Sequence, residues 1–146
     1  MSRSKSIALL LFVGIAGCKS VQPRDLAGTW VISDASRQVL PPELKTDLAK
    51  IVLNRDGTFV ASAMPGLFYF PQSRPARLES GNGAWELVSR EGKQQIQLVF
   101  HAIADWNTTD LPYGTPLEVS RGWSAMSLYY FIGDPDEGRR IEFERK

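Results

Sequence analysis

The sequence predicts an all-β fold: a small antiparallel up-and-down barrel of seven or eight short strands with one short helix, preceded by a cleavable N-terminal leader. Three observations lead there. Short apolar runs alternate with polar residues at period two. Turn signals such as Asp56-Gly57 separate them at hairpin spacing. The length suits one domain and is too short for two. An open sheet of this many strands would leave two exposed edges, which closure into a barrel removes; a two-sheet sandwich is the alternative.

In chain order, residues 26–33 form the first strand, with Trp30 at its centre. Residues 41–49 read as the one helix, since Pro41-Pro42 suits a helix start and Leu44 and Leu48 lie four apart on one face. Residues 50–53 and 58–61 pair through Asn54-Arg55-Asp56-Gly57. Residues 83–88 turn at Arg90-Glu91-Gly92-Lys93 into 94–100, where Ile96, Leu98 and Phe100 share one face. Residues 124–132 turn at 133–138 into 139–144, with Ile141 and Phe143 on one face. Weaker strands lie at 77–80 and 117–120. Trp30, Phe59, Trp85, Phe100, Tyr130 and Phe143 are the bulky candidates for an inward face, and they suggest a barrel that is largely filled.

The first residues carry a different signal. Arg3 and Lys5 form a basic head, an apolar run follows from Ile7, and it ends in Ile15-Ala16-Gly17-Cys18. The run is short of the ~20 residues a membrane span needs, and its layout is that of a cleavable signal. Ile15-Ala16-Gly17-Cys18 resembles the lipobox of bacterial lipoproteins. The resemblance implies cleavage before Cys18 and acyl chains on that cysteine, with two or more chains giving stable anchoring. Lys19, in place of the aspartate associated with inner-membrane retention, implies the outer membrane, facing the periplasm. The expected organisation is therefore a signal peptide at 1–17, a lipidated tether at 18–27 and a barrel at 28–146. The tether spans at most about 30 Å even when extended, so the domain works close to the membrane. Cys18 is the only cysteine, so no intramolecular disulfide is available.

Gly28-Thr29-Trp30 resembles the Gly-x-Trp signature of lipocalins. The order of a helix-prone insertion, successive hairpins and a late basic residue is also similar. The resemblance implies that Trp30 plugs one barrel end and that Arg139 or Arg140 packs across it. The chain departs from the family in its short length, its lack of disulfides and the absence of the second motif, Thr-Asp-Tyr. It reads as lipocalin-like rather than as one of the ligand transporters.

Chemistry-bearing motifs are sparse. The net charge is +1, with no basic stripe, which argues against nucleic acid as a partner. His101 is the only histidine; no Gly-x-Ser-x-Gly elbow accompanies it, and with Asp105 and a serine it makes at most a remote catalytic set. No enzyme activity, metal or cofactor is expected. Asp134-Pro135-Asp136-Glu137 lacks calcium-loop spacing and reads as a solvated turn. Gly81-Asn82-Gly83 precedes a strand, so it is no phosphate loop. The candidate binding residues are aromatic: Phe68, Tyr69 and Phe70 in a proline-framed segment, and Trp106 and Tyr113 in a second long loop at 101–121. They would line a barrel mouth, meet a partner, or fold over the barrel end to complete its core. The functional expectation is a membrane-anchored, non-enzymatic binding or interaction lipoprotein of the bacterial envelope, its partner another envelope protein or a small apolar ligand. A carrier of a small apolar ligand is the alternative, and a hydrolase using His101 the third reading.

Overall fold

The computed structural model describes residues 20–69 and 75–146. The leader, Cys18 and Phe70 lie outside the described residues. Eight strands form one closed antiparallel barrel in sequence order: β1 (Gly28–Ile32), β2 (Lys50–Leu53), β3 (Thr58–Pro65), β4 (Leu78–Arg90), β5 (Lys93–Ile103), β6 (Tyr113–Arg121), β7 (Met126–Phe131) and β8 (Arg140–Arg145). β8 pairs back onto β1 and closes the ring, with Trp30 opposite Arg145 and Ile32 opposite Phe143.

Period-two burial builds the core. Ile96, Leu98 and Phe100 point inward from β5, and Ile141 and Phe143 from β8. All six bulky inward candidates are buried. At this strand number the interior is only wide enough to be filled by side chains or to hold one small ligand. The indole and phenol groups keep their hydrogen bonds: Trp30 Nε1 donates to Leu26 O at 2.9 Å, Trp85 Nε1 to Asn54 O at 2.9 Å, and the Tyr130 hydroxyl to Pro65 O at 2.8 Å.

Several strands run further than their apolar pattern. β4 absorbs both expected segments, 77–80 and 83–88, into one strand, because Gly81 and Gly83 let β5 approach closely. A Cβ at Gly83 would sit 1.9 Å from Val99 O, and one at Gly81 2.4 Å from Ala102 O. Opposite them β5 carries a bulge, with Asn82 facing Ala102 and Gly83 facing Phe100, so His101 is the extra residue. β5 and β6 together also shorten the expected 101–121 loop to residues 104–112.

The helix is where the structure departs from expectation. Residues 41–49 hold only a 3₁₀ turn, Pro42–Leu44, and Leu48 is exposed while Leu44 is buried. Pro41 is extended, as a residue followed by proline is inclined to be. The chain instead forms α1 (Pro23–Leu26) and α2 (Asp34–Val39). Ser33 caps α2 by accepting from Ser36 N at 3.2 Å. α2 also finishes the short β1 edge: Ser33 N donates to Glu142 O, and Glu142 N donates to Ser36 Oγ.

The arginine at Trp30 is neither Arg139 nor Arg140. It is Arg145, whose guanidinium lies over the indole ring at 5.0 Å and donates to the carbonyls of Asp25 and Ala27. β8 runs antiparallel to β1, so its first residues lie at the opposite barrel end from Gly28. There Arg139 pairs with Glu137, and Arg140 stacks on Tyr129 at 4.9 Å.

Candidate functional site

The barrel has two unlike ends. At the Trp30 end the chain enters from residues 20–27 and the three short hairpin turns at 54–57, 91–92 and 122–125 gather. At the Phe68 end lie the long connections 33–49, 104–112 and 132–139, together with the described residues 66–69 and 75–77.

Three of the sequence-predicted aromatics meet at the Phe68 end. Phe68 contacts Trp106 at 5.0 Å and Tyr113 at 4.9 Å between ring centroids, and Trp106 meets Tyr113 at 5.6 Å. The group continues inward, since Phe68 packs edge-on against Phe100 at 5.2 Å and Phe100 against Phe59 at 4.8 Å. Edge-to-face geometry of this kind adds to the area each ring buries. Phe68 is only 2% exposed and packs over the barrel core, whereas Trp106 and Tyr113 are half-buried. Tyr69 is not part of this group; it is half-buried and lies beside Gly133.

A polar pair absent from the sequence reading holds this cap. Glu79 is 3% exposed, and its carboxylate accepts from Arg77 Nε at 2.7 Å and from Trp106 Nε1 at 3.3 Å. The Glu79 carboxylate raises the Arg77 pKa above its ordinary value, chiefly by that hydrogen bond. Beside it, β3 bulges between Ala61 and Met64; Ala63 takes a positive φ of 49°, and its N–H donates to Ser80 Oγ at 2.9 Å. The Glu79–Trp106 link depends on register and a bulge, for which residue spacing carries no signal.

An open cleft of ≈ 720 Å³ lies at the same end, lined by Arg37, Gln38, Lys45, Asp47 and Leu48. Arg37 pairs with Asp34 and Asp47 along it. Val39 and Leu48, both about three-quarters exposed, add apolar surface to this connection.

His101 is exposed on the outside of β5 at the bulge. Asp105, the carboxylate nearest in sequence, sits in the following turn with a φ of 64°. Among the described residues, no group of three or more His, Cys, Asp or Glu is placed to hold a metal ion. In the 134–137 turn the Asp134 side chain accepts from Asp136 N, which engages it within the turn itself. Among the described residues, no helix is long and apolar enough to cross a membrane.

No family model matches the chain, and no curated protein matches it.

Proposed function

We propose that the chain is a non-enzymatic interaction lipoprotein of the bacterial envelope, with a lipocalin-like barrel held to the outer membrane by acyl chains on Cys18. The observation that carries the interaction reading is that bulky buried side chains fill the described barrel interior toward both ends. Trp30 lies under Arg145 toward one end, Phe68 packs over Phe100 toward the other, and Phe59 and Phe143 are buried in the same core. A carrier of a small apolar ligand needs that interior free. Recognition therefore falls to the outer surface. The Phe68 end offers the half-buried Trp106 and Tyr113 together with the cleft beside Leu48.

The test is a photo-crosslinking residue placed at Tyr113 or at Leu48 of the anchored protein in cells. A discrete crosslinked envelope protein is expected, lost in Trp106→Ala and kept in His101→Ala. If neither position crosslinks and native mass spectrometry finds an apolar molecule retained by the barrel, the carrier reading replaces this one. The anchor has its own test. Cys18→Ser should leave the membrane fraction or retain its leader, and a processed variant that still pellets with membranes overturns the lipoprotein assignment.

A further inference from the structure

The Trp30 end carries a residue that the barrel does not use. Trp123 is fully exposed, at 109%. The protein's other three tryptophans are buried or half-buried, and each indole N–H is hydrogen-bonded within the fold. Trp123 sits with Ser124 at the tip of the tight β6–β7 hairpin. Arg121 pairs with Met126 just before the turn, and Gly122 N donates to Ala125 O at 2.8 Å to close it. The turn holds a large amphipathic ring out into solvent. A single exposed apolar side chain is ordinary on a protein surface; its place in the fold is what gives this one meaning.

The chain enters the barrel at the same end. Val21 is buried, and both its backbone groups bond the Gln94 side chain, at 2.9 Å each. Within residues 18–27, expected to be a lipidated tether, the described chain is held to the barrel at Val21. Residues preceding it start from the face that displays Trp123.

Charge is sorted along the same axis. Exposed Arg24, Arg55, Arg90, Lys93, Arg121, Arg145 and Lys146 lie at this end, against Asp25, Asp56, Glu86, Glu91 and Glu144. The Phe68 end carries exposed Asp34, Glu43, Asp47, Asp105, Asp110, Asp134, Asp136 and Glu137, against Lys45, Lys50, Arg77, Arg139 and Arg140. Among the described residues, exposed basic groups thus outnumber acidic ones at the Trp30 end, and the reverse holds at the Phe68 end.

We infer that the Trp30 end is a membrane-contact face, with Trp123 entering the headgroup region of an anionic lipid surface and the surrounding basic residues resting on its phosphates. Indole rings settle at that depth because one part is apolar and the N–H stays wet. Basic residues near an anionic surface add electrostatic attraction that salt screens. This orientation deepens the membrane-tethered reading and points the Phe68 end away from the lipid, toward partners. It also fails independently of that reading, because lipid contact by this face needs no acyl chain.

The experiment uses residues 20–146, which contain every strand of the closed barrel. They are mixed with vesicles of phosphatidylcholine plus phosphatidylglycerol, or of phosphatidylcholine alone, and followed by sedimentation and tryptophan emission. The anionic vesicles should bind the protein and shift its emission to the blue. Trp123→Ser, at a site with no packing to lose, should abolish the shift with an unchanged circular dichroism spectrum. Arg90→Gln should weaken binding about fivefold. Equal binding to phosphatidylcholine alone, or a Trp123→Ser protein that binds and shifts like the parent, overturns the inference. So does a parent protein that binds neither vesicle. The Cys18→Ser fractionation in cells reports on the acyl anchor whatever the vesicles show.

Discussion

Arg145 lies across the indole of Trp30 at 5.0 Å, directly opposite it in the β1–β8 register, and ties the start of β1 to the end of β8 through the carbonyls of Asp25 and Ala27. The pair seals the seam at which the barrel closes. Trp30 is fully buried, so Trp30→Ala should cost about 3–5 kcal/mol. Arg145→Ala removes a cation–π contact at an exposed guanidinium, worth about 1 kcal/mol. In a Trp30→Phe background the arginine's contribution should shrink, because the weaker ring leaves less to lose. Urea unfolding of the double-mutant cycle checks this; strictly additive costs would show that the two side chains act apart.

The part of this arrangement that the sequence carries is local. Asp56-Gly57 announces the β2–β3 hairpin because Gly57 must take a φ of 83°. The alternation of Ile96, Leu98 and Phe100 announces a half-buried strand. Arg145 is not legible in the same way, since choosing it over Arg139 requires the register of two strands from opposite ends of the chain. α2 is short and polar, with only the Ser33 cap to mark it, whereas Pro41-Pro42 and the Leu44/Leu48 spacing imitate a helix that the prolines hold extended. Trp123 falls between two strand patterns, where period two says nothing; its exposure follows from a tight hairpin turn. Phe68, Trp106 and Tyr113 are recognisable as loop aromatics, but Glu79, which links to Trp106 from β4, looks in the sequence like any strand glutamate.

The buried Tyr130 gives the fold an alkaline limit. Burial pushes its hydroxyl pKa well above the ordinary value of 10. In the unfolded chain the phenol ionises near pH ~10, while in the folded chain it stays protonated. Stability is therefore fully present below pH ~10 and is lost as pH rises from there toward the folded pKa. A spectrophotometric titration should show the Tyr130 phenol ionising only together with unfolding. Tyr130→Phe should flatten the alkaline limb of the stability curve at a cost of about 1 kcal/mol for the lost bond to Pro65 O. An unchanged alkaline midpoint in that variant would assign the limit to another group.

Asp56 titrates in the opposite sense. Its carboxylate accepts from the Thr58 hydroxyl at 2.7 Å and the Thr58 N–H at 2.9 Å, and these bonds hold its pKa below the usual 3.8, the hydroxyl contributing most. The contribution is present above that value and lost as pH falls through the lowered pKa. Thr58→Val keeps the strand and removes the hydroxyl, so an NMR titration should find the Asp56 pKa moved up toward the ordinary value. No movement would mean that the backbone bond alone sets it.

Gly83→Ala tests the close approach of β4 and β5. The new methyl would meet Val99 O at 1.9 Å, a backbone atom that cannot swing aside. The strands must part there, disturbing the bulge that turns His101 outward while Phe100 stays in the core. Gly92→Ala is the control: nothing lies within 4 Å of its Cβ position, and strain arises only from its φ of 78°. Thermal unfolding should show Gly83→Ala losing far more stability than Gly92→Ala. Equal losses would show that backbone conformation, not strand spacing, sets the requirement for glycine in this hairpin.

Glu79→Ala tests whether the cap at the Phe68 end is held by its polar link. Removing the carboxylate leaves the Trp106 indole N–H without its acceptor on Glu79, while Arg77, 44% exposed, can turn to water. A cost of about 1–3 kcal/mol is expected from the lost indole bond to Glu79 and the vacated volume. Glu79→Gln keeps an oxygen acceptor and the side-chain shape, so it should recover much of that loss and leave the Trp106 emission close to that of the parent. If Glu79→Gln is instead as damaging as Glu79→Ala, the charge facing Arg77 is the essential element. The aromatic contacts of Phe68 with Trp106 and Tyr113 would then be organised by the ion pair, not by the indole hydrogen bond.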